Sequence, residues 1–373
     1  MTSRAVTGLA GGSTAGAGAP GRPDPVLLLA PSRGLGGGIE RYVQTVQSAF
    51  TDRGVAHQRL DLANPGLAGH RALFGEATAA LAGSAGSTGP ARVIIGHRAL
   101  LPVASLLARA RPVRGISVIC HGSDVWGSTS GPRWRLESWL MRRANVRIVA
   151  VSSFTAGALF PGGQATILPP GLSRTWFDEL TAAAAADRAP RAGVGLMTAF
   201  RLGEWREKGL PQLTEAIAAL DRADVRLTVC GSGEPSADLV DHAGRYPWCS
   251  LRPGLADREL AAEFAAADLF VLATRTRSGR RPCGEGFGLV LLEAQVAGTA
   301  VIGPAHGGSP DAYLEGVTGA TPRDESAAAL AAVVGGLLRQ PGRLGEMGTC
   351  GGAWAREQFA PDRYAALAVD RLL

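Results

Sequence analysis

The sequence has almost no lysine, although it is basic. Lysine and arginine together number 38 in 373 residues, and Lys208 is the single lysine, so arginine carries the formal charge of +6. Such an arginine bias is expected of a GC-rich genome, and we expect an actinobacterial source. The arginines are scattered and lack aromatic partners in series, which disfavours nucleic-acid binding.

Cysteine is also sparse, and its spacing argues against a disulfide framework and against a zinc site. The five cysteines contain no CxxC pair; they are Cys120, Cys230, Cys249, Cys283 and Cys350. Neither a disulfide framework nor a zinc site is indicated by this pattern. We therefore expect the protein to reside in a reducing compartment such as the cytoplasm.

Long apolar runs are missing as well. No stretch approaches the roughly 18 apolar residues of a membrane-spanning helix. Residues 1–24 are rich in Gly, Ala, Ser and Pro and lack the continuous apolar core of a secretory signal, so they are expected to form a disordered leader. The hydrophobic fraction of 46% in 373 residues is sufficient for two globular domains.

Residues 283–294 join a glycine-rich turn to the start of an apolar helix. A helix N-terminus presents N–H groups without intrahelical partners and a partial positive charge, and it therefore favours phosphate. Glu285 precedes this helix and Glu293 lies roughly two turns into it, which places their carboxylates about 12 Å apart. That is about the span of a diphosphate with a sugar on each side. One carboxylate would bind a transferred sugar and the other a nucleotide ribose.

The first half of the chain alternates strand and helix patterns. An apolar run at residues 25–31 leads through a glycine-rich turn into a helix from residue 39, and this is the first unit of a Rossmann-like domain. Strand-like runs at 93–95, 116–120 and 147–151 predict a parallel sheet with helices on both faces. A dinucleotide oxidoreductase uses the same architecture, but these glycines do not fit G-x-G-x-x-G, and Asp61 is a poorly spaced ribose-binding acid.

His121, His97 and Arg201 each follow a predicted strand. His121 comes directly after the strand at 116–120, at the carboxyl edge where ligands bind in open α/β sheets, and His97 is a weaker candidate. In the second half, Arg201 follows a strand at 194–200, and Lys208 comes shortly before a helix. The arginine fork and the compact lysine charge both suit a diphosphate.

Residues 131–144 form an arginine-rich amphipathic segment. Its composition is compatible with contact to a membrane surface or a lipid-linked acceptor. We favour a surface helix whose tryptophans, Trp134 and Trp139, face the core.

The pattern of Glu285 and Glu293 resembles the E-x7-E signature of the family-4-type retaining glycosyltransferases, which have the GT-B fold. Gly284, Gly286, Phe287 and Gly288 fall at the offsets of that signature. The resemblance extends over nearly the whole chain after residue 25, in four further segments: Arg201 with Lys208-Gly209, the His121-Gly122-Ser123-Asp124 segment, the Gly37-Gly38-Ile39-Glu40-Arg41 loop, and residues 251–255, which resemble a segment that lines the nucleobase.

The resemblance implies an α/β fold with two Rossmann-like doubly wound domains that face each other across a cleft. Residues 25–185 would bind the acceptor, 186–358 would bind the nucleotide sugar, and a helix within 359–373 would pack back on the first domain. The implied reaction is retaining transfer from a nucleotide sugar, a UDP-sugar in our expectation, to a hydroxyl of a glycan, a lipid-linked sugar or a secondary metabolite. Neither a metal nor a cofactor is expected, and peripheral contact with the inner face of the membrane is compatible with the sequence.

The resemblance also assigns roles to individual residues. His121 and Glu285 would be catalytic, with Glu285 holding the transferred sugar and Glu293 holding the ribose. The donor-binding set comprises Gly37, Gly38, Arg201, Lys208, Gly286, Phe287, Gly288, Leu289, Val290 and Glu293. Three alternatives stay open: a nucleotide-sugar epimerase of the same fold, an NAD-dependent oxidoreductase and a non-catalytic sugar-binding module.

Overall fold

The computed structural model describes residues 25–31, 37–83, 90–122, 131–159, 164–187, 193–277 and 282–373. The predicted leader, Ser123 and Asp124 lie outside these ranges. Within them the chain forms two six-stranded sheets, and every strand pair is parallel.

The first sheet has the order β2-β1-β3-β4-β5-β6 and the second the order β12-β11-β10-β7-β8-β9. The first contains β1 (Val26–Ala30), β2 (His57–Asp61), β3 (Ala91–Ile95), β4 (Val113–Cys120), β5 (Val146–Ala150) and β6 (Ala165–Ile167). The second contains β7 (Val194–Ala199), β8 (Val225–Gly231), β9 (Cys249–Pro253), β10 (Leu269–Val271), β11 (Ala300–Ile302) and β12 (Gly319–Ala320).

Helices connect these strands and cover the sheets. They are α1 (Gly38–Asp52), α2 (Leu67–Gly83), α3 (Leu101–Ala110), α4 (Pro132–Met141), α5 (Ser153–Ala158), α6 (Arg174–Ala185), α7 (Leu210–Ala218), α8 (Ala237–Gly244), α9 (Asp257–Ala266), α10 (Leu289–Val296), α11 (Ala327–Leu338), α12 (Pro341–Gln358) and α13 (Pro361–Leu372). Short 3-10 helices occur at Arg98–Leu100, Leu202–Glu204 and Ser309–Ala312.

Each sheet is buried on both faces, as β1 illustrates. Alternate side chains of a strand point to opposite faces. Val26, Leu28 and Ala30 pack with α1 and α13, whereas Leu27 and Leu29 pack with α2 and α3. Burial of one leucine contributes about 1.5–3 kcal/mol, so a fully apolar strand is stable only at the centre of such a layered domain. The predicted α/β class with two doubly wound sheets is confirmed.

The last helix returns to the first sheet. α13 packs along α1, and Tyr364, Ala365 and Ala368 belong to the same apolar cluster as Val46 of α1. Ser117 of β4 donates a hydrogen bond to the carbonyl of Leu372 at 2.8 Å. The domain limits that we placed at residues 185 and 358 stay predictions.

Candidate active site

The strand orders define where a ligand would bind. In each sheet the order reverses beside its first strand, between β1 and β3 and between β7 and β10, and ligands bind beyond the carboxyl ends at such points. A cavity of about 300 Å³ lies between the two sheets at these edges. Eight predicted site residues line it: Gly37, Gly38, Arg201, Lys208, Glu285, Leu289, Val290 and Glu293.

Lys208 and Glu285 are in direct contact inside this cavity. The Lys208 Nζ atom donates to Oε2 of Glu285 at 3.1 Å, and the Thr274 hydroxyl donates to the same oxygen at 3.0 Å. Burial lowers the pKa of Lys208, but the charge and hydrogen bond of Glu285 and the charge of Glu204 outweigh it, so the pKa is raised overall. The lysine is therefore a fixed positive charge at neutral pH.

Arg201 lies at the same end of the cavity, close to the first domain. Its Nη1 atom donates to Glu204 Oε1 at 2.9 Å, and its guanidinium lies against Gly37. Gly37 has a φ of +112°, and a Cβ atom there would overlap the guanidinium. Glycine is thus required at this point, where the loop before α1 meets the second domain.

The loop before α10 is held by backbone contacts. The N–H of Gly308 donates to the carbonyl of Glu285 at 2.8 Å, and a Cβ atom on Gly286 would overlap the carbonyl oxygen of His121 in the other domain. Gly288 caps α10 with a left-handed φ of +83°. The N–H groups of Leu289 and Val290 begin the helix and therefore lack intrahelical acceptors.

Glu293 is almost fully buried, with 1% of its side chain exposed. Its Oε1 atom accepts hydrogen bonds from Arg41 Nη1 and Trp176 Nε1, both at 3.0 Å. Arg41 belongs to α1 and Trp176 to α6, so three separate elements meet at this carboxylate. The sequence patterns did not indicate either partner. Arg41 is 252 positions and Trp176 is 117 positions away from Glu293 in the chain, and no periodic pattern spans such separations.

His121, Gly286, Phe287 and Gly288 are not among the residues that line the cavity. The His121 ring is held by a hydrogen bond of 2.8 Å between Nε2 and the Gly96 carbonyl and stands edge-on to Tyr42. Phe287 is 3% exposed and packs with Phe359, so its side chain belongs to the core. The catalytic role of His121 stays a prediction.

A second link between the domains was not predicted. The Ser153 hydroxyl donates to Oδ1 of Asp311 at 2.6 Å, and the Ser153 N–H donates to Oδ2. Ser153 begins α5 in the first domain and Asp311 belongs to a 3-10 helix in the second. An acidic side chain at a helix N-terminus is favourable, so this contact helps to hold the domains together.

Within residues that the structure describes, no group of three or more His, Cys, Asp and Glu side chains is arranged to hold a metal ion. The expectation of a metal-free reaction stays a prediction.

Comparison with known proteins adds sequence relatives to this geometry. Residues 194–340 match the model of the family described as glycosyl transferases group 1. A GDP-mannose-dependent alpha-(1-6)-phosphatidylinositol monomannoside mannosyltransferase of Mycolicibacterium smegmatis is 31% identical over 281 residues, which are 72% of this chain and 72% of that protein. A D-inositol 3-phosphate glycosyltransferase of an Arthrobacter species is 32% identical over 55% of this chain and 48% of that protein.

Solved structures agree on the fold. A crystal structure of Anabaena HepE in complex with UDP superimposes with a TM-score of 0.71 at 15% identity and covers 93% of this chain and 99% of that one. A sucrose-phosphate synthase from Thermosynechococcus elongatus also gives a TM-score of 0.71, at 17% identity and with coverage of 93% and 98%. With the relatives above, these findings confirm the predicted membership: the chain belongs to the glycosyl transferases group 1 and is a glycosyltransferase of the GT-B fold.

Proposed function

We propose that this glycosyltransferase uses a nucleotide sugar and transfers the sugar with retention of anomeric configuration. The observation that carries the proposal is the cluster of Arg201, Lys208 and Glu285 in one interdomain cavity, with Glu293 on the same wall. The cations would bind the diphosphate, Glu285 the transferred sugar and Glu293 the ribose. His121 would contact the sugar from the first domain, which would also bind the acceptor.

The proposed chemistry is electrostatic. Negative charge develops on the diphosphate as the bond between C1 and the phosphate oxygen breaks. Arg201, Lys208 and the N–H groups at the start of α10 would stabilise this charge in place of a metal ion. The acceptor oxygen forms its bond to C1 on the same face, and its proton passes to the departing phosphate oxygen. This route needs no enzymatic nucleophile.

The proposal extends to the nucleobase of the donor. The sequence led us to expect a UDP-sugar, whereas the Mycolicibacterium relative is GDP-mannose-dependent. Asp257, the first residue of α9, lines the cavity beside Gly254 and Leu255. Two carboxylate oxygens can accept from N1–H and N2–H of guanine together, whereas uracil offers one N–H between two carbonyl oxygens. We therefore place GDP-mannose ahead of UDP-sugars as the proposed donor.

Replacing Asp257 by asparagine is expected to reduce the preference for GDP over UDP by about tenfold, since a bidentate contact to a base contributes about 1–3 kcal/mol of discrimination. Calorimetric titration of both nucleotides measures the preference. Asp241→Asn, an exposed acid on α8, is the matched control. An unchanged preference in the Asp257 variant would remove Asp257 from the base site.

A panel of nucleotide sugars tests the proposed function itself. Thermal shift identifies the donors that bind, and hydrolysis of each hit is then followed over time. The proposal predicts slow release of free sugar and nucleoside diphosphate from at least one donor. Isomerised nucleotide sugar without release would instead indicate an epimerase, and binding of NAD without nucleotide sugar would indicate an oxidoreductase.

The acceptor domain has a surface suited to lipid. The expectation that Trp139 faces the core is wrong: the residue is 51% exposed. Leu136 and Trp139 lie three residues apart on α4, Arg142 and Arg143 come directly after its last residue, and all four are exposed. The acid of this helix, Glu137, is buried and pairs with Arg98 and Arg133. An apolar and basic face without exposed acid suits an anionic bilayer surface.

No helix in the described ranges has the length and apolar character needed to cross a membrane. A cytoplasmic location with peripheral contact at the inner face of the membrane belongs to the proposal, together with a lipid-linked acceptor. A glycan or a secondary metabolite is the alternative acceptor, and nucleic acid is not an expected partner.

The double substitution of Arg142 and Arg143 by glutamine is expected to weaken binding to phosphatidylinositol-containing vesicles by roughly 10–30-fold, since one arginine near an anionic surface contributes about 1 kcal/mol. Vesicle co-sedimentation measures the affinity, with phosphatidylcholine vesicles as the neutral reference. The charge-matched control replaces Arg53 and Arg71, which are exposed in the same domain, by glutamine. Equal losses in both double variants would contradict a specific role for this face.

A further inference from the structure

Glu293 accepts hydrogen bonds from Arg41 and Trp176, and the inference from these contacts rests on the proposed donor site. We propose that Arg41 is a positioning residue: it fixes the carboxylate of Glu293 for the ribose and thereby makes nucleotide binding depend on the first domain. Neither the sequence motifs nor the relatives assign such a role to Arg41.

Both hydrogen bonds that the described residues make to the Glu293 carboxylate end at Oε1. Oε1 accepts from both Arg41 and Trp176. No donor within the described residues is bonded to Oε2, and Glu293 lines the 300 Å³ cavity. A ribose has two adjacent hydroxyl groups that can donate to a carboxylate oxygen. The protein partners therefore hold Oε1 and leave Oε2 for the ligand.

Burial explains why such partners are needed. A buried carboxylate is costly unless it is paired and hydrogen-bonded. Trp176 approaches Glu293 from a second, smaller cavity of about 150 Å³, which Arg41 and Glu293 also line. Arg41 lines both cavities, so it reaches the carboxylate at the boundary between them. The tryptophan supplies one neutral donor and the arginine supplies the compensating charge.

The position of Arg41 in the chain links both ends of the donor site. Arg41 lies in the first turn of α1, where its N–H donates to the carbonyl of Gly37 at 3.1 Å. Gly37 in turn meets Arg201, which is proposed to bind the diphosphate. Gly37 and Arg41, at the start of α1 in the first domain, thus contact the phosphate end and the ribose end of the site. Because the ion pair forms only when the domains are together, a nucleotide that uses Glu293 favours their closure.

The test compares GDP with 2′,3′-dideoxy-GDP, which lacks the hydroxyl groups that Glu293 would bind. Calorimetry gives the Kd of both ligands for the wild type, Arg41→Gln, Arg41→Lys, Glu293→Gln and the double variant of Arg41 and Glu293 to glutamine. Arg53→Gln, at the other end of α1, is the control. Arg41 is half exposed, so its replacement leaves the core unchanged, and thermal unfolding checks the fold of each variant.

We expect Arg41→Gln to weaken GDP binding by about tenfold, the effect of losing one hydrogen bond to a charged group, and to leave dideoxy-GDP binding unchanged. The double variant should bind GDP no more weakly than Glu293→Gln, and Arg41→Lys should recover part of the loss. In turnover, KM for the donor should rise more than kcat falls.

Three results would overturn the inference, and they separate it from the proposed function. Normal GDP binding by Arg41→Gln, with a loss in Glu293→Gln, would remove Arg41 alone and leave the ribose site. Equal losses for GDP and dideoxy-GDP in Arg41→Gln would show that the arginine binds another part of the nucleotide. Equal affinity of the wild type for both ligands, with no effect of Glu293→Gln, would overturn the ribose role of Glu293 together with the inference.

Discussion

Lys208→Ala is expected to lower kcat by about 10²–10³-fold, the effect of removing one preorganised group that stabilises developing charge. Lys208 is the single lysine in the chain, and its side chain is only 21% exposed, inside the interdomain cavity. Its raised pKa keeps it charged at neutral pH. Because the charge on the diphosphate is greatest in the transition state, kcat should fall more than donor affinity.

Arg206→Ala is the matched control for this experiment. Arg206 lies in the same loop, but it is 58% exposed and pairs with an exposed acid, Asp238, outside the cavity. Exposed pairs of this kind contribute little to stability, so the control should keep full activity and a normal unfolding midpoint. Full activity in the Lys208 variant, measured with saturating donor, would contradict the proposed role of the lysine.

Gly286→Ala is expected to reduce kcat/KM by about 100-fold, the effect of a displacement near 1 Å in a catalytic site. The added Cβ atom would overlap the carbonyl oxygen of His121, which is main chain and cannot move aside as a side chain could. The substitution should therefore separate the two walls of the cleft. Each sheet keeps its own core, so circular dichroism should report an unchanged secondary structure.

Gly345→Ala controls for the general effect of adding a methyl group. Gly345 lies within α12, and a Cβ atom there would have no neighbour within 4 Å. Alanine in a helix interior is favoured over glycine by about 0.5–1 kcal/mol, so this variant should be slightly more stable and fully active. If Gly286→Ala also keeps full activity, the close apposition of the two walls is not required for transfer.

The fold could be predicted from the sequence because it depends on local patterns. Apolar runs of five or six residues, such as β1 and β7, alternate with helices that carry apolar faces, and parallel sheets follow from that alternation. The site residues on these strand ends were predictable for the same reason. Lys208 and Glu285, for example, each occupy a loop that follows a strand, and the cavity contains both.

The contacts between the domains were not predictable in this way. Arg41 with Glu293 and Ser153 with Asp311 join residues more than 150 positions apart, and neither pair belongs to a common periodic pattern. The exposure of Trp139 also escaped prediction, because amphipathic spacing does not show which of two tryptophans faces the core. Such features depend on how the finished domains meet and pack.

The central claim is transfer with retention from a nucleotide sugar bound in this cleft, and the anomer first released tests it most directly. The purified enzyme would be incubated with GDP-mannose, or with another donor consumed in the panel, and the sugar released to water would be followed by NMR before it equilibrates. The proposal predicts that the first anomer has the configuration of the donor and that Lys208→Ala slows its appearance by about 10²–10³-fold. First release of the opposite anomer would contradict it.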